Sequence, residues 1–465
     1  MANTTPRGKS SLKPIRSRPE AAERLSALFR SEDLTKLVDV LTKQGSLYLV
    51  GGMVRDAFFG EELQDIDLAT SEKPATVQAT LEQVGFRVIE TGIEHGTLTA
   101  LVDDQPVEIT TFRAPSAREQ TKFGATIEED LSGRDFTINA IAFEPTSGEF
   151  IDPFRGEADL EQGICRAVGD PQRRFQEDPH RLLRMVRFGP AQGRRVHDET
   201  GVAALELAHS IEEVAKERLR EELVKILISS FPHDGMAALQ QYGLLQHLIP
   251  ELLPAIGCEQ NEWHIHDVWE HTLWVLERSH CDKLVRLAAL FHDIGKPATV
   301  STDEGGRRHF YGHEYVGAEM TETILHRLKF SRADTKIVTS LVKEHMRPLD
   351  CGESGVRRIM RDLGEQFERW LLIKRADAPP VVAEEEFEAS YARFVEMVEK
   401  EHERQAGPVY GKLAIGGDDL LRMGYKEGPL IGKVLAECEE LVIEDPEKNT
   451  TDELMKIARS HLKVG

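Results

Sequence analysis

Two aspartates one residue apart, Asp65 and Asp67, stand in the run DIDLAT at residues 65–70. If that run is a strand, positions i and i+2 project from one face. Two carboxylates held side by side repel each other, so a fold that joins them usually gives them a divalent metal. Upstream, the apolar LYLV of residues 47–50 passes into Gly51 and Gly52, and a helix-like pattern begins at Met53. A strand that ends in two glycines before a helix lets backbone N–H groups approach a phosphate, and the helix N-terminus adds partial positive charge. Paired metals beside bound phosphates are the apparatus of in-line phosphoryl or nucleotidyl transfer. Taken singly, a Gly-Gly is usually a turn and an Asp-x-Asp a solvated loop. GGMVRDAFFG followed by DIDLAT is far more specific than either piece.

Three further groups carry chemistry. In EDPHRLLRMVRF, residues 177–188, a single helix is expected, with Glu177, Asp178 and Arg181 on one face at i, i+3 and i, i+4 spacing. As surface salt bridges they are worth a few tenths of a kcal/mol. As a recognition group, a carboxylate accepts from an exocyclic amine and a guanidinium donates to a ring nitrogen or carbonyl oxygen. Cytosine and adenine both offer that edge. Arg173, Arg174, Arg184 and Arg187 nearby suit a triphosphate or an RNA backbone, although some must balance Glu177 and Asp178. In EEDLSGRDFTINAIAF, residues 128–143, Arg134, Asp135, Thr137 and Asn139 are too polar for a purely structural segment. The third group is a metal signature: His271, the adjacent His292 and Asp293, and Asp377, with His313 and His345 between. Any one of these histidines is more often structural than a ligand. Imidazole and carboxylate together suit Mn, Fe, Ni, Co or Mg, and the lack of cysteine ligands argues against a closed structural zinc site.

The elements that must position these residues follow from the patterning. Residues 19–44 read as one amphipathic helix and residues 72–84 as another. Strand-like runs at 86–89, 96–102 and 106–112 complete a small α/β head with a mixed sheet. Glu108 lies in the last of these strands. Residues 211–229 form a further amphipathic helix, in which Glu217 and Arg218 are expected to pack. A chain of 465 residues exceeds one ordinary domain. The expected layout is a basic disordered tail over 1–18, a head over 19–170, a neck over 171–235, a helical body over 236–380 and a helical tail over 381–465. The fold class is α+β. With 40 % hydrophobic and 30 % charged residues, no membrane-length apolar run and no signal-peptide pattern, a soluble cytoplasmic protein is expected. The five cysteines show no paired spacing, which fits reduced thiols. A net charge of −22 argues against indiscriminate nucleic-acid binding but leaves room for an RNA held on a local basic surface. Residues 166–195 carry eight arginines, whereas residues 384–403 are strongly acidic.

GGMVRDAFFG with DIDLAT resembles the nucleotidyltransferase superfamily related to DNA polymerase beta. More narrowly, residues 45–235 resemble the class II tRNA nucleotidyltransferases and the bacterial poly(A) polymerases. The resemblance implies catalytic Asp65 and Asp67 holding Mg2+, with Glu108 in VEITTFR as a third carboxylate. GRDFTINA matches a ribose-binding motif whose first arginine is Gly133 here; Arg134 and Asp135 keep their places. EDPHR matches the motif that acts as a protein template. Nucleotide contacts are therefore expected of Gly51, Gly52, Arg55, Arg134, Asp135, Asn139, Glu177, Asp178, Arg181, Arg184 and Arg187. His271, His292, Asp293 and Asp377 resemble the H…HD…D set of the HD phosphohydrolases, implying a second divalent metal (Mn, Ni, Co or Mg), with the extra histidines available for another. Lys296 follows the dyad where that family often has a cation facing phosphate. The implied partners are tRNA, CTP and ATP, with no membrane and no obligate protein partner. The glycine-punctuated segment after residue 406 resembles the family's tail near the tRNA elbow. Between Arg113 and Glu128 the chain is shorter than the flexible loop of three-nucleotide enzymes and lacks its tyrosine, aspartate and Arg-Arg-Pro. The resemblance thus implies a CC-adding enzyme. Full CCA addition, A addition, poly(A) synthesis and a non-catalytic RNA-binding role stay open.

Overall fold

Two helices stand where the pattern over residues 19–44 suggests one. They are α1 (Arg18–Ala27) and α2 (Glu32–Thr42). Ser31 separates them: its backbone is extended and its hydroxyl accepts from the Leu34 N–H at 3.2 Å, a side-chain cap that starts α2 afresh. The computed structural model describes residues 15–63, 65–92, 96–114, 126–260, 266–378, 384–405 and 413–462. The described end of the expected tail is held in place. The Arg16 N–H donates to Phe58 O at 2.7 Å, and Arg18 pairs with Glu157. These residues make two units, Met1–Leu253 and Pro254–Gly465.

In the first unit a seven-stranded mixed sheet runs in the order β3-β4-β5-β2-β1-β6-β7. Its strands are β1 (Leu47–Val50), β2 (Ile66–Thr70), β3 (Arg87–Gly92), β4 (Thr97–Val102), β5 (Gln105–Thr111), β6 (Ala142–Phe143) and β7 (Phe150–Ile151). Helices α3 (Gly52–Phe59) and α4 (Pro74–Gln83) pack against it together with α2. Elsewhere in the head, Val50, Ala69, Phe112, Leu131 and Ala142 form a core closed by α5 (Ile127–Ser132). Helix α6 (Gly156–Glu161) and the short pair β8 (Ile164–Cys165) and β9 (Arg195–Val196) lead into the neck. Residues 115–125, on which the CC-adding expectation rests, lie outside the described residues.

The expected single helix over residues 177–188 is corrected. Helix α7 (Pro171–Glu177) ends, and α8 (Arg181–Phe188) begins anew. Pro179 is the reason: its ring disfavours helical backbone at the residue before it, and Asp178 is extended at φ −148°, ψ 98°. Glu177, Asp178 and Arg181 therefore line a turn between two helices, not one helix face. Helix α9 (Asp198–Glu206) follows, then α10 (Lys216–Leu227), which starts later than the pattern over 211–229 suggests because residues 208–213 form a 3-10 segment. Helices α11 (Pro232–Gln241) and α12 (Leu245–Leu248) end the unit.

The second unit is built on α14 (Lys283–Phe291), in which every residue from Leu284 on is buried. Packed on it are α13 (Val268–Arg278), α17 (Arg332–Glu344) and α19 (Phe367–Ala376). Helix α15 (Lys296–Thr299), the hairpin β10 (Ser301–Thr302) and β11 (Arg308–His309), and α16 (His313–Arg327) come between, and α18 (Glu353–Leu363) precedes α19. The tail comprises α20 (Glu384–Gln405), α21 (Gly417–Arg422), α22 (Pro429–Glu444) and α23 (Thr451–Leu462). No helix among the described residues is long and apolar enough to cross a membrane.

Candidate active site and metal centre

Strands β2 and β5 are parallel neighbours, and their register sets Asp67 opposite Glu108. Register partners project from the same face of a sheet. Asp65 lies just before β2, exposed, at the position that alternation puts on Asp67's side. Burial first, and Glu108 second, push the Asp67 carboxyl up to about 6; Arg134 acts in the opposite sense and Asp65 adds to the rise. Gly51 holds φ +80°, and a Cβ there would stand 3.1 Å from Asp67 Oδ2 and 3.4 Å from Arg134 Nη1. The glycine at the end of β1 thus has both a conformational and a spatial reason: it keeps open the space between the carboxylate and the guanidinium. Among the described residues, the three head carboxylates do not all come within 4.8 Å of one another.

Several residues singled out separately in the sequence form one polar chain. Arg55 Nη1 donates to Asn139 Oδ1 at 2.7 Å, and Asn139 Nδ2 donates to Asp135 Oδ1 at 3.0 Å. Arg184 Nε donates to Asp135 Oδ2 at 2.7 Å. Burial alone would raise the Asp135 carboxyl; the Arg184 guanidinium and the hydrogen bonds from Asn139, Arg184 and the Phe136 N–H outweigh it and hold the group below the usual carboxylate range. Arg134 pairs with Asp130 at 3.2 Å. The guanidinium carbons of Arg55, Arg184 and Arg187 lie 4.9, 5.0 and 3.8 Å from the Phe188 ring centre. Three cations around one aromatic ring make a concentrated positive patch beside Asp135.

At the α7–α8 turn, Arg181 Nη2 donates to Gly133 O at 2.9 Å and Nη1 lies 3.4 Å from Glu177 Oε2. Gly133, where the related motif has an arginine, thus contributes its carbonyl. Glu177 is shared with Arg173 at 3.0 Å and Arg174 at 3.2 Å. Asp178 takes other partners: it accepts from the His180 N–H at 3.2 Å and from Arg218 Nη2 at 3.1 Å. Asp178 and Arg181 are brought to one turn, each held by separate neighbours. Arg218, expected only to pack, and Glu222, not singled out, also meet this turn; their i, i+4 spacing on α10 was the available signal.

In the second unit, His271, His292, Asp293 and Asp377 converge as expected, and His313 and His345 join them. Asp293 divides its two oxygens. Oδ2 lies 3.1 Å from His292 Nε2 and 3.6 Å from His271 Nε2. Oδ1 lies 3.3 Å from His313 Nε2 and 3.6 Å from His345 Nε2. Asp377 Oδ1 lies 3.0 Å from His271 Nε2. The outer nitrogens are fixed: Nδ1 of His292, His313 and His345 meets the carbonyls of Ala289, Phe310 and Val342 at 2.8, 2.7 and 2.6 Å. Each such bond puts the ring proton on Nδ1 and turns a bare Nε2 inward, the orientation that metal-ligating imidazoles take. The ligand atoms of His271, His292 and Asp293, and those of Asp293, His313 and His345, each fall within 4.8 Å of one another. Asp293 Oδ2 is buried without a directional hydrogen bond, although Lys296 Nζ lies 2.7 Å away. Donor set, tautomers and under-bonded carboxylate all fit divalent metal.

Both units match known families. Residues 47–166 match the poly A polymerase head domain, residues 195–256 the probable RNA and SrmB-binding site of polymerase A, and residues 264–378 the HD domain. The chain is 32 % identical over 407 residues to the A-adding tRNA nucleotidyltransferase of Deinococcus radiodurans, covering 83 % of this chain and 89 % of that protein. It is 31 % identical over 434 residues to the CCA-adding enzyme of Lactiplantibacillus plantarum, covering 89 % and 91 %. In fold it is similar to the Bacillus stearothermophilus CCA-adding enzyme solved with CTP, with a TM-score of 0.70 at 24 % identity over 94 % of this chain and 99 % of that one. The Thermotoga maritima CCA-adding enzyme solved with tRNA gives a TM-score of 0.60 at 20 % identity over 96 % and 99 %. With the head carboxylates, the α7–α8 turn and the HD cluster in one chain, and identity above 30 % sustained over most of its length, this protein belongs to the CCA-adding family of tRNA nucleotidyltransferases.

Proposed function

We propose that this enzyme transfers cytidylate from CTP to the 3′ end of a tRNA lacking its CCA terminus and stops after the second C. The observation that carries the transfer reading is the Asp67–Glu108 register beside the open space at Gly51. Asp65, Asp67 and Glu108 would hold Mg2+, which when bound neutralises the triphosphate and lowers the pKa of the attacking hydroxyl. Gly51 and Gly52 let the phosphates approach the N-terminus of α3. Arg134, Asp135 and Asn139 take the ribose, with Arg55 bracing Asn139 and Arg184 bracing Asp135. Arg184 and Arg187 face the triphosphate. Asp178 and Arg181 read the Watson–Crick edge of the base, and Glu177 keeps Arg181 in place. The tRNA 3′-hydroxyl gives its proton to water, its oxygen bonds to the α-phosphorus, the α–β bridging bond breaks and pyrophosphate leaves.

The stop after two C residues rests on the short stretch between Arg113 and Glu128, whose only charged groups are Arg118, Glu119 and Lys122. A-only addition is the second reading, favoured by the likeness to the A-adding enzyme of Deinococcus radiodurans. Transcripts ending at the discriminator base, in C and in CC, each incubated with CTP and ATP and resolved on a sequencing gel, separate the readings. Two C additions and no A support CC addition. Efficient A addition to the CC end after two C additions restores the three-nucleotide reading, and A addition without any C addition makes the enzyme A-adding. Long A tails would make it a poly(A) polymerase, and no incorporation on any transcript would leave an RNA-binding protein.

For the second unit we propose a phosphohydrolase that acts on 2′,3′-cyclic or terminal phosphates with Mn, Ni, Co or Mg held by His271, His292, Asp293 and Asp377. His313 and His345 would hold a second ion together with Asp293. Lys296, also bonded to Gln260 Oε1 at 2.7 Å, adds a fixed cation for the substrate phosphate. Absence of hydrolysis with every one of these metals would sink this reading and leave the nucleotidyltransferase reading untouched.

A further inference from the structure

His180 is 8 % exposed at the start of α8, and the transfer described above gives it no task. Arg218 on α10 aims one nitrogen, Nη2, at two acceptors: Asp178 Oδ2 at 3.1 Å and His180 Nδ1 at 3.0 Å. A guanidinium has only donors, so Nδ1 must accept, and the neutral ring carries its proton on Nε2. Nε2 is buried without a hydrogen-bond partner and lies 3.7 Å from Glu222 Oε1. Glu222 is 2 % exposed, and its negative charge favours the proton on the nitrogen that faces it. Glu222 is in turn anchored by Arg187 at 2.6 Å, with Lys225 at 3.9 Å. The charged groups around the ring are thus Asp178, Arg184, Arg218 and Glu222. Burial first, then Arg218, hold the His180 pKa below its ordinary value against Glu222 and Asp178. Nη2 has two hydrogens, one for each acceptor. Without the His180 ring, the half-exposed Arg218 would be free to turn, and Asp178 would keep the residue 180 N–H on Oδ1 but lose the partner that fixes Oδ2.

We propose that His180 is a positioning residue for nucleotide selection: its Nδ1 lone pair locks Arg218, and through Arg218 the Asp178 carboxylate, in the geometry that reads the incoming base. The proposal rests on Asp178 being the base-selecting carboxylate. Nothing in the motif spacing demands a histidine here, and the role comes from the three-residue contact alone.

The test uses the full chain and a tRNA transcript lacking its CCA end. His180→Leu and His180→Phe both remove the acceptor, and the second keeps a flat ring should the first fail to fold. His180→Asn keeps an acceptor oxygen close to the place of Nδ1. The measurements are kcat and KM for CTP and the ratio of kcat/KM for CTP over UTP. Loss of one hydrogen bond to a charged group corresponds to about tenfold. The Leu and Phe variants should raise the CTP KM and lower the CTP/UTP ratio by about that factor, with kcat little changed, and Asn should restore both. Wild-type discrimination in the Leu or Phe variant, or an Asn variant no better than Phe, would overturn the proposal. Asp178→Ala is the control. If it leaves the CTP/UTP ratio unchanged, the base-selecting reading itself has failed; if it abolishes the ratio while Phe does not, only the role of His180 has.

Discussion

Asp67 and Glu108 face each other across the parallel β2–β5 pair, so one hydrogen-bonded register fixes the distance between two carboxylates that repel. The strands gain nothing from that pairing. The repulsion pushes in the same direction as the burial of Asp67. Asp67→Asn removes one charge at nearly constant shape and should leave the metal-free fold intact or slightly more stable. It should lower CMP incorporation by roughly a thousandfold, the loss of about 4 kcal/mol of metal-borne charge stabilisation. Thermal unfolding and a labelled-CTP assay on one sample check both halves. Near-wild-type turnover by a folded variant would remove Asp67 from the metal site.

Asp135 gives a pH-dependent prediction. Its folded pKa lies below the ordinary 3.8, so the group contributes stability that is present above 3.8 and lost as pH falls through the lower folded value. Asp135→Asn leaves Arg184 without its buried partner and should cost about 3 kcal/mol at neutral pH. The gap between wild type and variant should narrow only in strongly acidic buffer. Urea midpoints measured from pH 7 down to pH 3 test the sign. A gap that widens on acidification would contradict it.

The head was legible because its signals are local. Four apolar residues before two glycines specify a strand that ends at a tight approach, and the period of two puts Asp65 and Asp67 together whatever their neighbours do. The strand that carries Glu108 was legible as the strand-like run at 106–112. The turn at Asp178 was readable too, since the residue before Pro179 resists helix, but i, i+4 counting across the proline hid it. What the sequence withheld is tertiary. Arg218 meets Asp178 from 40 residues away. The division of Asp293 between two histidine pairs depends on how α13, α16, α17 and α19 pack around α14. Even the Arg55–Asn139 bond joins two motifs that no spacing rule connects.

Arg357 and Glu401 offer a stability test far from either reaction. They are 4 % and 0 % exposed and lie 2.7 Å apart, joining α18 to α20. Arg357 also reaches the carbonyls of Ile443 and Glu444 at the end of α22. A buried pair broken on one side loses most of its compensation; Arg404 Nη1, 2.8 Å from Glu401 Oε1, is more exposed and offsets part of the loss, so Arg357→Ala should destabilise the second unit by about 3 kcal/mol. Glu401→Gln should cost less, because the amide oxygen still accepts from Arg357. Limited proteolysis of α20 and α22 in the two variants reads the difference. Equal protection in both would show that the pair contributes little.

Asp293 makes the sharpest prediction for the second unit. Each of its oxygens faces a different pair of histidines, His271 and His292 on one side and His313 and His345 on the other. An aspartate used by one metal alone would not need both pairs within reach, whereas a bridging carboxylate does. Asp293→Asn replaces one oxygen by an amide nitrogen that cannot ligate, and it also removes the charge that attracts either ion. His345→Ala touches only the second set. After dialysis against Mn2+ or Ni2+, metal analysis should show about one ion per chain fewer for His345→Ala than for the wild type and about two fewer for Asp293→Asn, any ion held by the head carboxylates being common to all three. Hydrolysis of a 2′,3′-cyclic phosphate should fall by about a thousandfold in Asp293→Asn, while CMP addition to tRNA, which uses Asp65, Asp67 and Glu108, stays unchanged. Lys296 loses its partner in this variant, so a thermal melt must accompany the assay. Full metal loading of a folded Asp293→Asn protein would refute the bridge and return His313 and His345 to a structural role.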